Sequence, residues 1–221
     1  MERRSTITHL PQKSKPVTIA VTGNAGSGKT TVCDHLKSLG LPVIILDALA
    51  REVVGPGSPA LLKISHHFGK RILTDDGFLN RPALRHIILE DETQRHELEK
   101  ILHPEIISLM HRRISEAGER GAAIVIIEVP LLFELDMRDR FDLVLLVTAE
   151  SRFQVERLAH RDKVTPGDAA ALIKAQMPDI KKREYSDFII NNNGCQSELI
   201  NSVDRFHQIV YQKIVDNGKS A

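Results

Sequence analysis

A glycine-rich turn near the start of the sequence restricts the possible folds more than any other feature of the chain. It lies between a run of β-branched and apolar residues, 17–22, and a segment with the pattern of a helix, 29–39. Its fixed positions match the spacing G-x-x-x-x-G-K-[ST] of a phosphate-binding loop: Gly23, Gly28, Lys29 and Thr30. Glycines let backbone N–H groups turn inward around an anion, and the following helix points its positive dipole end at the same place. The sequence therefore predicts a strand, a loop and a helix that together bind a nucleoside triphosphate.

The residues of this loop have different expected tasks. Lys29 is expected to reach the β- and γ-phosphates, and the hydroxyl of Thr30 is expected to bind the accompanying Mg²⁺. The predicted nucleotide contacts of the loop are Gly26, Ser27, Gly28, Lys29, Thr30 and Thr31. An ordinary strand-to-helix turn with an incidental lysine is the alternative, but the strand before the loop and the helix after it favour a nucleotide site.

Composition and charge argue against several other kinds of protein. The 221 residues include 30 Lys and Arg against 29 Asp and Glu, so no strong field attracts the chain to nucleic acid or to a membrane. The longest apolar run, 122–129, is too short to cross a bilayer. Cys33 and Cys195 form neither a metal-ligand pattern nor a disulfide framework, which is typical of a reducing cytosol. We expect a cytoplasmic protein without a nucleic acid, membrane or obligate protein partner, and with loose polar tails at 1–16 and 217–221.

Short apolar runs alternate with helical patterns along the rest of the chain. The predicted strands are 17–22, 42–46, 122–127, 141–147 and 188–190. This alternation predicts an α/β fold, a doubly wound parallel five-stranded sheet with helices on both faces, in one domain at 17–216. Residues 80–118 carry helical periodicity without a strand, which predicts an inserted helical lobe in which Pro82 and Pro104 mark helix starts.

Polar residues follow several of these strands at the point where each strand ends. Asp47, Glu128 and Asn192 do so, as does the phosphate-binding loop. Because ligands of open parallel sheets bind outside the carboxyl ends of the strands, we expect these residues to meet in one cleft. Two alternatives stay open here: Asp47 is either a general base or the N-cap of the next helix, and Glu128 either holds Mg²⁺ through water or only pairs locally.

A charged helix after the fourth strand carries two arginines four residues apart. Arg157 and Arg161 therefore share one helix face. Phosphoryl transfer needs cations near the γ-phosphate, and the guanidinium fork suits its oxygens. The alternative is a solvated face on which the arginines pair with Glu156 and Asp162.

Beyond the loop, the chain resembles the dephospho-CoA kinases from about residue 18 to 211. The resemblance depends on the order and spacing of short segments: 22–31, 41–47, 50–52, 56–61, 83–85, 102–104, 129–134, 157–162, 175–177 and 190–194. It implies ATP-dependent phosphorylation of the ribose 3′-hydroxyl of dephospho-CoA, the last step of coenzyme A synthesis. It also implies a P-loop kinase core, a helical acceptor-binding lobe at about 58–120 and a helical lid at about 150–185.

The resemblance also implies tasks for single residues. It makes Asp47 the catalytic aspartate, although only the second aspartate of the family's Asp-Ala-Asp is present in Ile45-Leu46-Asp47. It assigns Arg157 to the transferred phosphoryl group, Arg161 to ATP and Asn192 to the adenine. The candidate acceptor contacts are Arg51, Arg85 and His103, each of which has a surface or loop role as its alternative. The loop itself departs from the family's usual Gly-Gly-Ile-Gly, since it reads Gly23-Asn24-Ala25-Gly26.

Three other functions share a phosphate-binding loop. A GTP switch would carry an Asn-Lys-x-Asp guanine motif, which the sequence lacks, and a nucleic-acid motor would carry a basic or aromatic surface, whereas aromatic residues are 4% of the chain. A kinase for another small acceptor, such as a nucleoside monophosphate, remains the main alternative, because a fold alone does not select the acceptor.

Overall fold

The computed structural model describes residues 15–218, with side chains as far as residue 213. Of the two predicted tails, residues 1–14 and 219–221 lie outside this range. Among the described residues, no helix combines the length and the apolar character needed to cross a bilayer.

A parallel sheet of five strands forms the centre of the molecule. The strands are β1 Val17–Thr22, β2 Val43–Ile45, β3 Ile124–Glu128, β4 Leu143–Thr148 and β5 Phe188–Asn191. Their order is β2-β3-β1-β4-β5, and every neighbouring pair is parallel. This order places β1, which leads into the phosphate-binding loop, between β3 and β4, so the loop emerges at the middle of the sheet edge. The predicted fold class is confirmed.

Nine α-helices connect or cover these strands within the described range. They are α1 Lys29–Ser38, α2 Leu46–Glu52, α3 Pro59–Phe68, α4 Arg81–Glu90, α5 Glu92–Glu119, α6 Ser151–Asp162, α7 Pro166–Lys174, α8 Asp179–Glu184 and α9 Gln196–Gly218. Local side chains begin several of them: the side chain of Ser58 accepts a hydrogen bond from the N–H of Leu61 at the start of α3, and Asn80 does the same for Ala83 in α4.

Each face of the sheet packs against a different pair of helices. Side chains alternate along a strand, so Val125 and Ile127 of β3 face α2 and α5, whereas Ile124 and Ile126 face α1 and α9. All four are at most 2% exposed. A third apolar cluster lies in the inserted region, where α3, α4 and the first half of α5 bury residues such as Ile64, Phe68, Leu84 and Leu98. The inserted helices therefore have a small core of their own.

Two local predictions were wrong, and one helix was not predicted. Pro104 does not start a helix but lies inside α5, a single helix of 28 residues. Proline removes one backbone hydrogen bond there, but Leu98 on one side of it and Met110 on the other are buried in two different clusters, and this packing holds the helix together. Residues 179–184 form α8, for which the charged sequence gave no apolar periodicity. Helix α2 begins at Leu46, which was predicted as the last residue of the strand 42–46.

Candidate active site

The loop after β1 adopts a conformation that only glycine permits at several points. Gly23 and Gly26 have φ angles of 147° and 75°. A Cβ atom at Gly23 would lie 2.0 Å from the carbonyl oxygen of Val147, and one at Gly26 would lie 2.3 Å from that of Gln154. The backbone of the loop is thus packed directly against β4 and α6. It leads into α1 through Gly28, which as N-cap has no side chain to satisfy the first N–H groups of the helix.

Lys29 folds back over this loop. Its Nζ donates hydrogen bonds to the carbonyl oxygens of Gly23 at 2.8 Å and Asn24 at 3.0 Å, and the residue is only 9% exposed. Burial lowers the pKa of Lys29 from 10.5 to about 8; the charge of Glu128 opposes this shift, and the cations Lys182 and Arg161 add to it. The ammonium group therefore lies in surroundings where an anion would be strongly favourable.

Thr30 and Glu128 bring a hydroxyl and a carboxylate together below the loop. The Oγ1 atom of Thr30 donates to Oε1 of Glu128 at 3.3 Å. Glu128 is the last residue of β3 and is 6% exposed. Burial raises the pKa of its carboxyl group, although the positive charge of Lys29 and the hydrogen bond from Thr30 act in the opposite direction. Two hard oxygen ligands in a partly uncompensated site fit Mg²⁺, which takes few protein ligands and completes its shell with water and phosphate oxygens.

Asp47 lies in the first turn of α2 and its side chain is solvent-exposed. The N-cap of this helix is Ile45, whose side chain makes no capping hydrogen bond, so the alternative that Asp47 is an N-cap is wrong. Its carboxylate is free to face a ligand, and it lines a cavity of about 740 Å³ above the phosphate-binding loop. Whether it acts as a base stays a prediction.

This main cavity gathers most of the predicted site residues. They are Gly26, Gly28, Lys29, Thr30, Thr31, Asp47, Arg51, Glu128, Arg157 and Arg161. Gly26 to Thr31 enter from the loop, Asp47 and Arg51 from α2, and the arginines from α6. The carboxyl-end cleft that the sequence predicted is therefore a real concavity lined with both cations and carboxylates.

Four predicted residues lie elsewhere. Ser27 is buried beneath the loop, and Asn192 braces it, since its Nδ2 donates to the carbonyl oxygen of Ser27 at 2.8 Å. Arg85 is exposed on α4 and lines neither the main cavity nor the one beside it. His103 lines that second cavity, of about 500 Å³.

The two arginines of α6 differ in their surroundings. Arg157 donates from Nη2 to the carbonyl oxygen of Asn192 at 3.0 Å, and its Nη1 is buried with no hydrogen-bond partner among the described residues. Arg161 pairs with Asp162 through two bonds of 2.7 and 3.0 Å, and these hydrogen bonds raise its pKa. Arg161 therefore makes the pairing with Asp162 that the solvated-face alternative predicted. Both arginines nevertheless line the main cavity.

The second cavity is mainly apolar and lies between α2, α5 and the segment before β4. Its walls are Leu46, Asp47, Ala50, His103, Pro104, Ile106, Ile107, Leu135, Met137 and Arg140. Among the described residues, Asp47 is the one that lines both cavities. An acidic residue, Asp47, is thus part of the wall of both the polar main cavity and the apolar second cavity.

Sequence reasoning assigned no task to Gln176, which also lines the main cavity. Its Oε1 accepts a hydrogen bond of 2.8 Å from the N–H of Ala25 in the phosphate-binding loop. The contact joins residues that are 151 positions apart, so no local pattern in the sequence marks it.

A parallel sheet of this order, a phosphate-binding loop after its central strand and an arginine-bearing helix over the loop together define a P-loop kinase. The sequence model of one family, the dephospho-CoA kinases, matches residues 17–198. The chain belongs to the dephospho-CoA kinase family, and the resemblance seen in the sequence is confirmed.

Individual relatives agree with this assignment. The chain is 38% identical over 185 residues to the dephospho-CoA kinase of Shouchella clausii, a match that covers 84% of this chain and 94% of the relative. It is 40% identical over 178 residues to the dephospho-CoA kinase of Bacillus thuringiensis, and this match covers 80% of this chain and 89% of the relative. The crystal structure of TT1252 from Thermus thermophilus superimposes with a TM-score of 0.75 at 32% identity, and covers 90% of this chain and 98% of that one.

Proposed function

We propose that the protein transfers the γ-phosphoryl group of ATP to the ribose 3′-hydroxyl of dephospho-CoA and releases coenzyme A and ADP. Membership of the dephospho-CoA kinase family supports this acceptor. The structural observation that carries the proposal is the position of Asp47 between a phosphate-binding cavity and an apolar one. An acceptor that is polar at its reacting end and long and less polar elsewhere matches this pair of cavities.

The nucleotide half of the proposal concerns the main cavity. The N–H groups from Gly26 to Thr31 bind the β-phosphate, and Lys29 moves from the carbonyl oxygens of the loop to the phosphate oxygens. Thr30 and Glu128 would hold Mg²⁺ through their oxygen atoms. When bound, Mg²⁺ neutralises charge on the β- and γ-phosphates.

The acceptor half concerns Asp47 and the second cavity. Asp47 accepts the hydrogen bond of the 3′-hydroxyl and orients it towards the γ-phosphate. The apolar walls of the second cavity hold the pantetheine arm, with His103 as a polar contact, while Arg51 faces the acceptor from the main cavity. Arg85 would touch only a distant part of an extended acceptor, across the inserted lobe.

Charge develops on the transferred group during the reaction, and the arginines of α6 lie where they can meet it. Arg157 has a buried Nη1 atom with no hydrogen-bond partner among the described residues, which makes it a preorganised donor. Arg161 binds the phosphates from the open side of the cavity. Helices α6 and α7 with their flanks, at about 150–185, act as the lid, and the inserted helices at about 58–120 act as the acceptor lobe.

One assay tests this proposal. ADP release is measured with ATP and Mg²⁺ against dephospho-CoA, AMP and CMP, for the wild type and for Asp47→Asn. We expect turnover of dephospho-CoA to far exceed that of the monophosphates. The asparagine variant should keep its affinity for ATP and lose roughly 10²–10⁴ in kcat, the usual contribution of a positioned base.

Two results would contradict parts of the proposal separately. Equal turnover of AMP or CMP would make the protein a kinase of nucleoside monophosphates, and the acceptor would be wrong. Near-normal activity of Asp47→Asn would leave the assignment of the acceptor unchanged and would show that Asp47 is not the general base. Withdrawal of Mg²⁺ with a chelator is expected to stop all transfer, because the negative charge between the phosphates is then uncompensated.

A further inference from the structure

Lys182, on the short helix α8, is a completely buried cation. Its side chain is 0% exposed, and its Nζ lies 2.8 Å from Oε1 of Glu134, which is 21% exposed. Nζ has no hydrogen-bond partner among the described residues, so its contact with Glu134 is an ion pair. Burial alone would raise the pKa of Glu134, but the contact with Lys182 and hydrogen bonds from backbone N–H groups outweigh it, and the pKa lies below its usual value. Removal of Glu134 would leave the cation of Lys182 buried and uncompensated.

The same carboxylate also holds the connection between α7 and α8. Oε1 of Glu134 also accepts a hydrogen bond of 2.9 Å from the N–H of Met177. A little further along, Arg138 donates to the carbonyl oxygen of Tyr185 at 3.1 Å and pairs with Asp187 at 2.9 Å. The segment 133–138 is thus bonded to the region from Met177 to Asp187, with the ion pair of Lys182 and Glu134 at one end of the contact.

Both sides of this contact reach the candidate active site. On one side, Leu135 and Met137 follow Glu134 in sequence and line the apolar cavity. On the other side, Gln176 precedes Met177 and binds the phosphate-binding loop at Ala25. The ion pair therefore lies between the element that touches the nucleotide loop and the wall of the cavity assigned to the acceptor.

We propose that Glu134 and Lys182 are a positioning pair that fixes the wall of the apolar cavity relative to the phosphate-binding loop. This inference rests on the proposed function, because it takes the apolar cavity as the acceptor site. Neither side chain lines either cavity, so neither touches the reacting atoms. Their effect on the acceptor is geometric: a misplacement of about 1 Å between reacting groups costs on the order of 10²-fold in rate. Because the charge of Lys182 also lowers the pKa of Lys29, Glu134→Gln, which leaves that charge in place, is the sharper test of geometry.

The test uses two variants and a matched control. Lys182→Met keeps most of the volume of the stem and removes the charge, and Glu134→Gln keeps an acceptor for Met177 while removing the carboxylate. Lys181→Met removes the same charge from the exposed neighbouring position of α8. We measure kcat, KM for dephospho-CoA and Kd for ATP in all three, with thermal unfolding as a check on folding.

A positioning role predicts a specific kinetic pattern. In Lys182→Met and Glu134→Gln, kcat/KM for the acceptor should fall roughly 10–100-fold, with a higher KM, while Kd for ATP stays within about threefold. Lys181→Met should behave as wild type. A purely structural role would reduce the folded fraction and kcat but leave both substrate constants unchanged, and this result would overturn the inference. If Lys182→Met does not fold, the same decision is made on Glu134→Gln.

Failure of the proposed function would be visible separately, as a wild type that does not turn over dephospho-CoA. The inference is then decided by hydrogen exchange at the amides of residues 133–137. ADP with Mg²⁺ should slow their exchange in the wild type and in Lys181→Met, but not in Glu134→Gln. Equal slowing in Glu134→Gln would show that the pair does not connect the two sides.

Discussion

The lowered pKa of Lys29 predicts how ATP use depends on pH. In the free protein this pKa is about 8, and only the protonated side chain can meet the phosphates as a cation. One pH unit above the pKa, roughly a tenth of the molecules are protonated, so kcat/KM for ATP should be level near neutral pH and fall about tenfold per unit above about pH 8.5. The parameter kcat should stay level to higher pH, because bound phosphates stabilise the charged form and raise the pKa again.

The assay is ADP release at limiting and at saturating ATP, between about pH 6.5 and 10, with the acceptor saturating. Lys29→Arg provides the control, since a guanidinium stays charged throughout this range. This variant is expected to be slower than wild type but to lack the alkaline fall. The reasoning is refuted if the wild-type kcat/KM for ATP stays level to pH 10, or if Lys29→Arg shows the same fall as wild type.

Two further predictions concern Arg157 of α6 and Gly26 of the phosphate-binding loop. Arg157→Ala should lower kcat far more than it weakens ATP binding, because the charge that Arg157 meets develops in the transition state. Arg157→Lys should restore kcat only in part, since an ammonium group cannot form the two parallel hydrogen bonds of a guanidinium group. Full activity of the lysine variant in steady-state kinetics would contradict this role. Gly26→Ala should lower the free energy of unfolding and abolish ATP binding, because its Cβ would meet the carbonyl oxygen of Gln154 at 2.3 Å. Gly40→Ala is the control in denaturant titration: its φ is 88° but its Cβ would meet nothing within 4 Å, so it should cost only about 1–2 kcal/mol of backbone strain and leave ATP binding unchanged.

The sequence predicted the sheet and the phosphate side of the site well, because both depend on local patterns. Strands such as β3 are continuous apolar runs, and the loop has a fixed spacing. The errors arose where distant packing decides the outcome. Pro104 is a helix breaker by local rules, yet α5 continues through it because its two halves are buried in separate cores.

The missed parts of the site share this cause. Helix α8 has a charged sequence with one buried lysine, and its environment is decided by Glu134, which lies 48 residues earlier in the chain. Gln176 is one polar residue among many until the fold brings it to the loop. Asn192, predicted at the adenine, donates to the carbonyl oxygen of Ser27, and no spacing rule contains this contact.

The two cavities share a single wall residue within the described part of the chain, and this affects how the protein can change over generations. Substitutions at Ala50 or Ile107 alter the shape of the apolar cavity without touching a residue of the phosphate loop. Acceptor preference can therefore drift, or be redesigned, while the use of ATP is conserved. Asp47 is the exception, since it lines both cavities and a side chain of another shape there changes the wall of each. Selection should hold this position most firmly and allow the greatest variety among the apolar residues around it.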